Sequence, residues 1–434
     1  MHRFVLTLLL VSCGATPAVA FARDLSLAEA EQLVARGNRD VQAARRAIEA
    51  AGAGILQADV RPNPVVSYNA SGISNNPGIG PGSLLNKRFD NTFRIDQLIE
   101  RGSKRELRVE AAQGTERAAK NDALDVLRQQ LLLTRNAYAD MQQAQGKAEI
   151  LAGMSELFSR TYSAAQTRLK AGDLAAADVA RVQVDYERSQ NDFRVAQAEL
   201  SRAQFTLALL IADDSRASTL RATDPWPAVT LSDPAAIEQA VAQYIESRPD
   251  VLAAKARIEA TEKLRDLARS QRTRDVSVGA QFERFPGNLP TNSIGFGVSI
   301  PLLIGNDYSG DIQRAEVDRY SALDALEKVR AVAASEISRS ASDLRAAGER
   351  RSRYESSLLA AAQRSADAAE FAFLRGATSV LEVLDARRTL RAVQLEALAA
   401  RADHAKALYA WQASLQSGQG LTPKEALRPA KQID

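Results

Sequence analysis

The residues that could do covalent or metal chemistry are few and far apart. The 434-residue chain carries two histidines and one cysteine. A zinc site of the usual kind needs three or four Cys, His or carboxylate ligands at short spacings, and no such set is present. There is no second cysteine for a redox pair or a disulfide, no nucleophile elbow and no phosphate-binding loop. His404 lies within an apolar helical stripe with no second ligand nearby, which reads as a packed or hydrogen-bonded interface histidine. Catalysis, a metal site and any other cofactor are set aside on these grounds, leaving functions that need only shape and charge.

The charges narrow those functions further. There are 56 basic and 53 acidic residues, a net charge of +3, and no long run of one sign. A nucleic-acid binder would gather Lys and Arg on one face, so that class is excluded. No apolar run reaches the length of a membrane-spanning helix. If this chain enters a membrane, it does so with strands.

The N-terminus reads as an export signal. Met1–Arg3 supply a positive start, Phe4–Val11 an apolar core, Pro17 a break and Ala18–Ala20 the small residues at a cleavage site. On this reading residues 1–22 are removed, and the mature chain begins near Phe21 or Arg23. A second reading takes Leu10–Cys13 (LVSC) as a lipoprotein box, which leaves Cys13 lipidated. Either way the protein is exported.

The elements that must position any functional residue are mostly long helices. Glycine and proline together make up about 8.5% of the chain, against roughly 12% in average usage. The chain is also duplicated. Asn38–Ala50 (NRDVQAARRAIEA) aligns with Arg248–Ala260 (RPDVLAAKARIEA), and Arg168–Gln183 aligns with Ala372–Arg387 in the same order. Such repetition fixes architecture before any detail. The first repeat spans 23–222 and the second 223–420, with a tail over 421–434 and a proline cluster (Pro225, Pro227, Pro234) at the junction. Each repeat reads as a short helix, a longer helix, two strands, then two long helices at 102–171 and 174–212, or at 308–374 and 378–417.

Heptads support the long helices. Val179, Tyr186, Phe193, Leu200 and Leu207 recur every seven residues, interleaved with Val182, Ser189, Ala196, Ala203 and Leu210. This is a coiled-coil seam with small residues on one side. Val383, Leu390, Ala397, His404 and Trp411 form the matching row in the second repeat. A further row of Leu381, Leu395, Ala402 and Tyr409 gives that helix a second seam, as expected of a stave in a helical wall.

Four segments alternate apolar with small or polar residues, near 65–71, 91–98, 276–283 and 293–300. In an exported chain this is the signature of an outer-membrane barrel. Four strands cannot close a barrel, and open edges are not tolerated in lipid. Closure must come from several chains, giving 8, 12 or 16 strands for two, three or four subunits.

Taken together these residues resemble the TolC family of outer-membrane efflux factors. The resemblance runs from LSLAEAEQLVARGN near Leu25 to the region of Gly420. It includes the paired glycine turns, the GVSIPLLIGN passage with Pro301 at the strand-to-helix corner, and the VLEVLDARRTL stretch. QLIERGSKRELR (Gln97–Arg108) is similar to the cobalt–zinc–cadmium branch. The resemblance implies a mainly α homotrimer in the outer membrane of a Gram-negative bacterium. A 12-strand barrel, four strands per chain, would continue as a helical coiled-coil tunnel across the periplasm. A belt of shorter segments (Leu25–Gly37, Thr223–Ser247 and the residues after Gly418) would surround its middle. Its implied partners are outer-membrane lipid, a periplasmic adaptor protein and an inner-membrane pump of the RND type.

The resemblance also implies sites. The turns at Ala171–Asp173 and Arg375–Ala377 would form the periplasmic tip. There Leu169, Gly172, Leu174, Leu374 and Gly376 would meet the adaptor. Glu382 and Asp385 match the carboxylate rings that narrow the tunnel, and Asp178 is their counterpart in the first repeat. The bland reading of these three is solvated carboxylates near a helix start, where they are favoured anyway. A Tyr and an Arg that lock the closed state in some relatives are replaced here by Phe373 and Thr378. Arg181, Arg387 and Arg388 could substitute by pairing with nearby carboxylates. The expected function is a passive exit duct of a tripartite efflux system for small toxic solutes, metal cations or drugs. Two alternatives remain at this point: the outer-membrane duct of a type I protein secretion system, and a periplasmic coiled-coil scaffold or adaptor with no membrane segment.

Overall fold

The computed structural model describes residues 23–73, 89–229, 234–285, 291–375 and 377–416. The signal segment with Cys13 and the tail 421–434 lie outside the described residues. The element order is β1 (Arg23–Leu25), α1 (Leu27–Gly37), α2 (Arg39–Asp59), β2 (Val65–Ser71), β3 (Asp90–Ile99), α3 (Lys104–Ala171) and α4 (Ala176–Ile211). It continues with β4 (Leu220–Ala222), α5 (Pro234–Tyr244), α6 (Pro249–Ser270), β5 (Val276–Phe285), β6 (Thr291–Ser299), α7 (Ser309–Arg353), α8 (Leu359–Leu374) and α9 (Val380–Ser414). Short 3-10 turns precede β4 and α6. Among the described residues no helix is long and apolar enough to cross a membrane.

The duplicated helices α2 and α6 are started by different devices. Asn38 caps α2, its side-chain oxygen accepting from the N–H groups of Asp40 (2.9 Å) and Val41 (3.2 Å). At the equivalent place in α6, Pro249 opens the helix and the Asp250 carboxylate accepts from Val251 N–H (2.9 Å). Both satisfy donors that a helix start leaves free.

The described residues form two compact units that cut across the duplication: those within 1–33, 134–228 and 351–405 make one, and those within 34–133, 229–350 and 406–434 the other. The second unit carries a four-stranded antiparallel sheet in the order β2-β3-β5-β6. Its register places Tyr68, Phe93, Phe282 and Ile294 in one row and Val66, Ile95, Ala280 and Phe296 in the next. This face is exposed, with Ile294 at 73% and Phe296 at 85%. The opposite face holds Ser67, Arg94, Gln281 and Gly295, then Asn69, Thr92, Glu283 and Ser293. One sheet therefore separates an apolar side from a polar side, and neither is covered within the described residues. β2 and β6 each have one edge without a strand partner among the described residues.

In the first unit, parts of α3 and α9 pack with α4 and α8. Phe158 and Ala165 of α3 meet Val179 and Val182 of α4 and Leu384 of α9 in one buried cluster. Ala362 and Ala366 of α8 meet Leu390 of α9 in another. α9 is thus packed on two sides, as its two apolar rows require: Leu390, Ala397 and His404 are buried, and so are Ala402 and Tyr409. Leu381 departs from that pattern and is 45% exposed. The helix expected over 308–374 is not uniform, because one π turn at Tyr354–Leu358 joins α7 to α8. The same unit holds a small parallel pair, β1 with β4. Behind it the Tyr138 hydroxyl lies 2.9 Å from the Leu25 carbonyl and 2.8 Å from Asp224 Oδ2, and accepts from the N–H groups of Thr223 and Asp224.

Candidate gate and tip of the helical unit

The two reversals between long helices are built alike. After α3, Asp173 N–H returns to the Arg168 carbonyl (2.9 Å) and Gly172 N–H to that of Leu169 (3.0 Å). This is the Schellman closure, and it holds Gly172 at φ +84°, which glycine adopts without steric cost. After α8, Ala377 N–H returns to the Ala372 carbonyl (2.9 Å), the equivalent bond in the second repeat. Gly376 and the side chain of Leu374 lie outside what is described. Leu169 is 38% exposed. Leu174 is half-buried and packs on the Phe158 cluster, so it contributes less free apolar surface than its position in a turn suggests.

Glu382 and Asp385 sit one turn apart on α9, both exposed. They line one open groove of about 450 Å³ with Leu381, Ala386 and Thr389 of the same helix and Ser365 and Ala369 of α8. Glu382 is also tied into the helix start. Its N–H donates to Ser379 Oγ (3.4 Å), and its carboxylate accepts from the Thr378 hydroxyl. Thr378, unable to make the link expected of an Arg, orients the Glu382 carboxylate instead.

Asp178 is not part of that groove. It lines a separate cavity of about 370 Å³ with Arg168, Leu174, Phe373, Thr378 and Leu381, and it pairs with Arg181 one turn on (3.5 Å). The Arg168 guanidinium lies 5.7 Å from the centre of the Phe373 ring, a cation–π contact where a hydroxyl lock is missing.

The three arginines expected to take over the locking do find carboxylates. Arg387 pairs with Glu370 of α8. Arg388 pairs with Asp185 of α4 at 2.6 Å, and Arg391, one turn further, pairs with Asp192 at 3.0 Å. Asp185 and Asp192 were not singled out from the sequence. One signal was available for Asp185: it falls between the seam residues Val182 and Ser189, and a carboxylate on a buried face demands a partner.

Higher on the same helices, His404 is fully buried, its Nδ1 3.3 Å from Arg351 Nη1. Arg351 also donates to the Pro227 carbonyl (2.6 Å) and to Glu355 (3.1 Å), and Glu355 accepts from Arg401 (2.7 Å). Burial alone would raise the Glu355 carboxyl, but its bonds from Arg401 and Arg351 outweigh that and hold it below the usual range. His404 is therefore a hydrogen-bonded packing residue. Among the described residues no group of three or more His, Cys, Asp or Glu could hold a metal ion.

The comparisons with known proteins agree with this architecture. The family model described as "Outer membrane efflux protein" matches residues 31–213 and 240–415. The cobalt-zinc-cadmium resistance protein CzcC of Cupriavidus metallidurans is 25% identical over 374 residues, covering 85% of this chain and 84% of that protein. Among solved structures, a membrane protein from Pseudomonas aeruginosa superposes with a TM-score of 0.74 at 17% identity, over 92% of this chain and 95% of the other. The outer-membrane channel OprN superposes with a TM-score of 0.73 at 21% identity, over 90% of this chain and 89% of the other.

Proposed function

The chain belongs to the outer membrane efflux protein family, and from that premise we propose that it is the passive exit duct through which a tripartite system expels metal cations or other small toxic solutes. Channels of this family are homotrimers that work with periplasmic adaptor proteins and inner-membrane pumps. They lie in the Gram-negative outer membrane and extend into the periplasm. A scaffold without a membrane segment does not fit that membership. The family is one of transport ducts, and we read no catalytic step into the chain.

The observation that carries the reading is the sheet. Its exposed apolar face and its two open edges cannot stand in water or alone in lipid, since lipid-exposed edges leave backbone groups unsatisfied. Three copies joined β2 to β6 would close a 12-strand barrel with the polar face inside. In such a trimer Glu382 and Asp385 would put six carboxylates around one opening, a ring that favours cations. Asp178 would add a separate ring, and the reversals after α3 and α8, with Leu169, Gly172, Leu174, Leu374 and Gly376, would meet the adaptor. The likeness to CzcC supports a heavy-metal cargo. Deleting the gene must sensitise cells to cobalt, zinc or cadmium, and the purified protein must run in detergent as a heat-modifiable trimer rich in β signal. A strict monomer without that signal would overturn the reading.

A further inference from the structure

The polar face of the sheet carries five linked side chains that lie apart from Glu382 and Asp385. Arg94 donates from Nε to Asp96 Oδ2 (2.7 Å) and from Nη2 to Oδ1 (2.8 Å), while Nη1 donates to Gln281 Oε1 (3.1 Å). Gln281 in turn donates to Glu283 (2.7 Å), which also accepts from the Ser293 hydroxyl (3.2 Å). The Arg94 guanidinium is thus drawn along the sheet and not away from it.

A gap in the neighbouring side chains makes room for it. Gly279 and Gly297 share a row with Asp96, and Gly295 shares one with Arg94. A Cβ at Gly279 would overlap the Asp96 carboxylate and come within 3.1 Å of Arg94 Nη2, and one at Gly297 would stand 3.5 Å from the same nitrogen. Glycine weakens a strand interior and often marks a close approach. Here the approach is that of a guanidinium laid flat on the sheet.

We propose that Asp96 and this glycine floor hold Arg94 against the barrel wall, paired, so that Glu283 sets the charge a solute meets inside the outer-membrane section. The proposal rests on the duct reading, which puts this face inside a barrel shared by several chains. Three upright guanidinium groups would form a basic ring, which selects anions, whereas three flattened ones leave the Glu283 carboxylates to favour cations. Asp96 is a positioning residue that acts on permeation through Arg94.

The test is the K⁺/Cl⁻ permeability ratio, taken from reversal potentials under a KCl gradient in planar bilayers. The native sequence and a background with Glu382→Ala and Asp385→Ala are both used, so that the tip does not mask the barrel. Asp96→Asn must shift the ratio severalfold toward chloride. Adding Arg94→Gln must reverse that shift, and Glu283→Gln must weaken the cation preference without needing Arg94. If Asp96→Asn does not insert, Gly297→Leu, which displaces Arg94 without changing any charge, must give the same chloride shift. A conducting parent whose variants keep its ratio overturns this inference alone. A parent that forms no conducting oligomer removes the duct reading and the inference with it.

Discussion

Arg388 Nη2 lies 2.6 Å from both carboxylate oxygens of Asp185, joining α9 to α4. The pair is asymmetric: the Asp185 side chain is 7% exposed and that of Arg388 50%. Removing the arginine strands a buried carboxylate, while removing the carboxylate frees an arginine that water can solvate. Arg388→Ala is therefore expected to cost more, roughly 1–3 kcal/mol, and Asp185→Asn less. Both loosen α9 from α4. Larger single-channel conductance and faster entry of a bulky antibiotic, ordered Arg388→Ala above Asp185→Asn, are the expected results.

The paired carboxylates of the α9 groove make a second prediction. With Glu382→Ala and Asp385→Ala combined, block by multivalent cations weakens and monovalent-cation conductance falls. Bilayer conductance with and without a trivalent cation measures both effects, and unchanged block removes the gate assignment. Because Glu382 also closes the helix start with Thr378 and Ser379, Glu382→Gln separates charge from capping. It keeps the acceptor but loses the attraction for cations.

Elements with a period were legible in the sequence, and pairings between distant segments were not. The two seams of α9 repeat every seven residues, and the strands alternate every two, so each face can be read from neighbours along the chain. The Asp185–Arg388 link joins residues 203 positions apart, and no local pattern announces it. The π turn at Tyr354–Leu358 escapes for a related reason, because one extra residue within a helix leaves the surrounding composition unchanged. Asp178 aligns with Glu382 in the duplication, yet it lines a different cavity. Sequence equivalence fixed its helix position but not the face its neighbours leave open.

Tyr138 gives a prediction with an alkaline signature. Burial pushes its hydroxyl up to about 12, the Asp224 carboxylate adding to the effect while the Asp224 and Thr223 N–H groups oppose it. A group whose folded value lies above its unfolded one, near 10 for a phenol, supplies stability that is full below pH 10. That stability is lost as pH rises toward 12. Tyr138→Phe removes this alkaline loss. At neutral pH it costs about 1–3 kcal/mol, because the N–H groups and the carboxylate around the missing hydroxyl lose a partner. Thermal melts at pH 7 and pH 11 measure both: the variant melts lower than the parent at pH 7, and the gap narrows at pH 11.

Asp250 carries the opposite sign. Burial alone would raise its carboxyl, but the bonds and charge of Arg248, helped by the charge of Arg128, outweigh that and hold it below the ordinary range. Arg248 is fully buried, donating to Asp250 at 3.1 and 2.7 Å and to Glu336 at 2.8 Å. Its Nη1 also donates to the Ser414 carbonyl at the end of α9 (3.4 Å), so the pair joins α6 to that helix terminus. Because the folded value is depressed, the contribution is present above the unfolded value of about 3.9 and is lost as pH falls through the folded one. Asp250→Asn leaves a buried guanidinium with Glu336 as its remaining carboxylate partner, a loss on the order of 3 kcal/mol at neutral pH. As pH falls below the unfolded value the parent progressively loses the same contribution, so the gap between the two proteins narrows. Denaturant midpoints from pH 7 down to pH 2.5 test this, and a gap between parent and variant that stays constant across that range would show that the carboxylate charge is not what Arg248 holds.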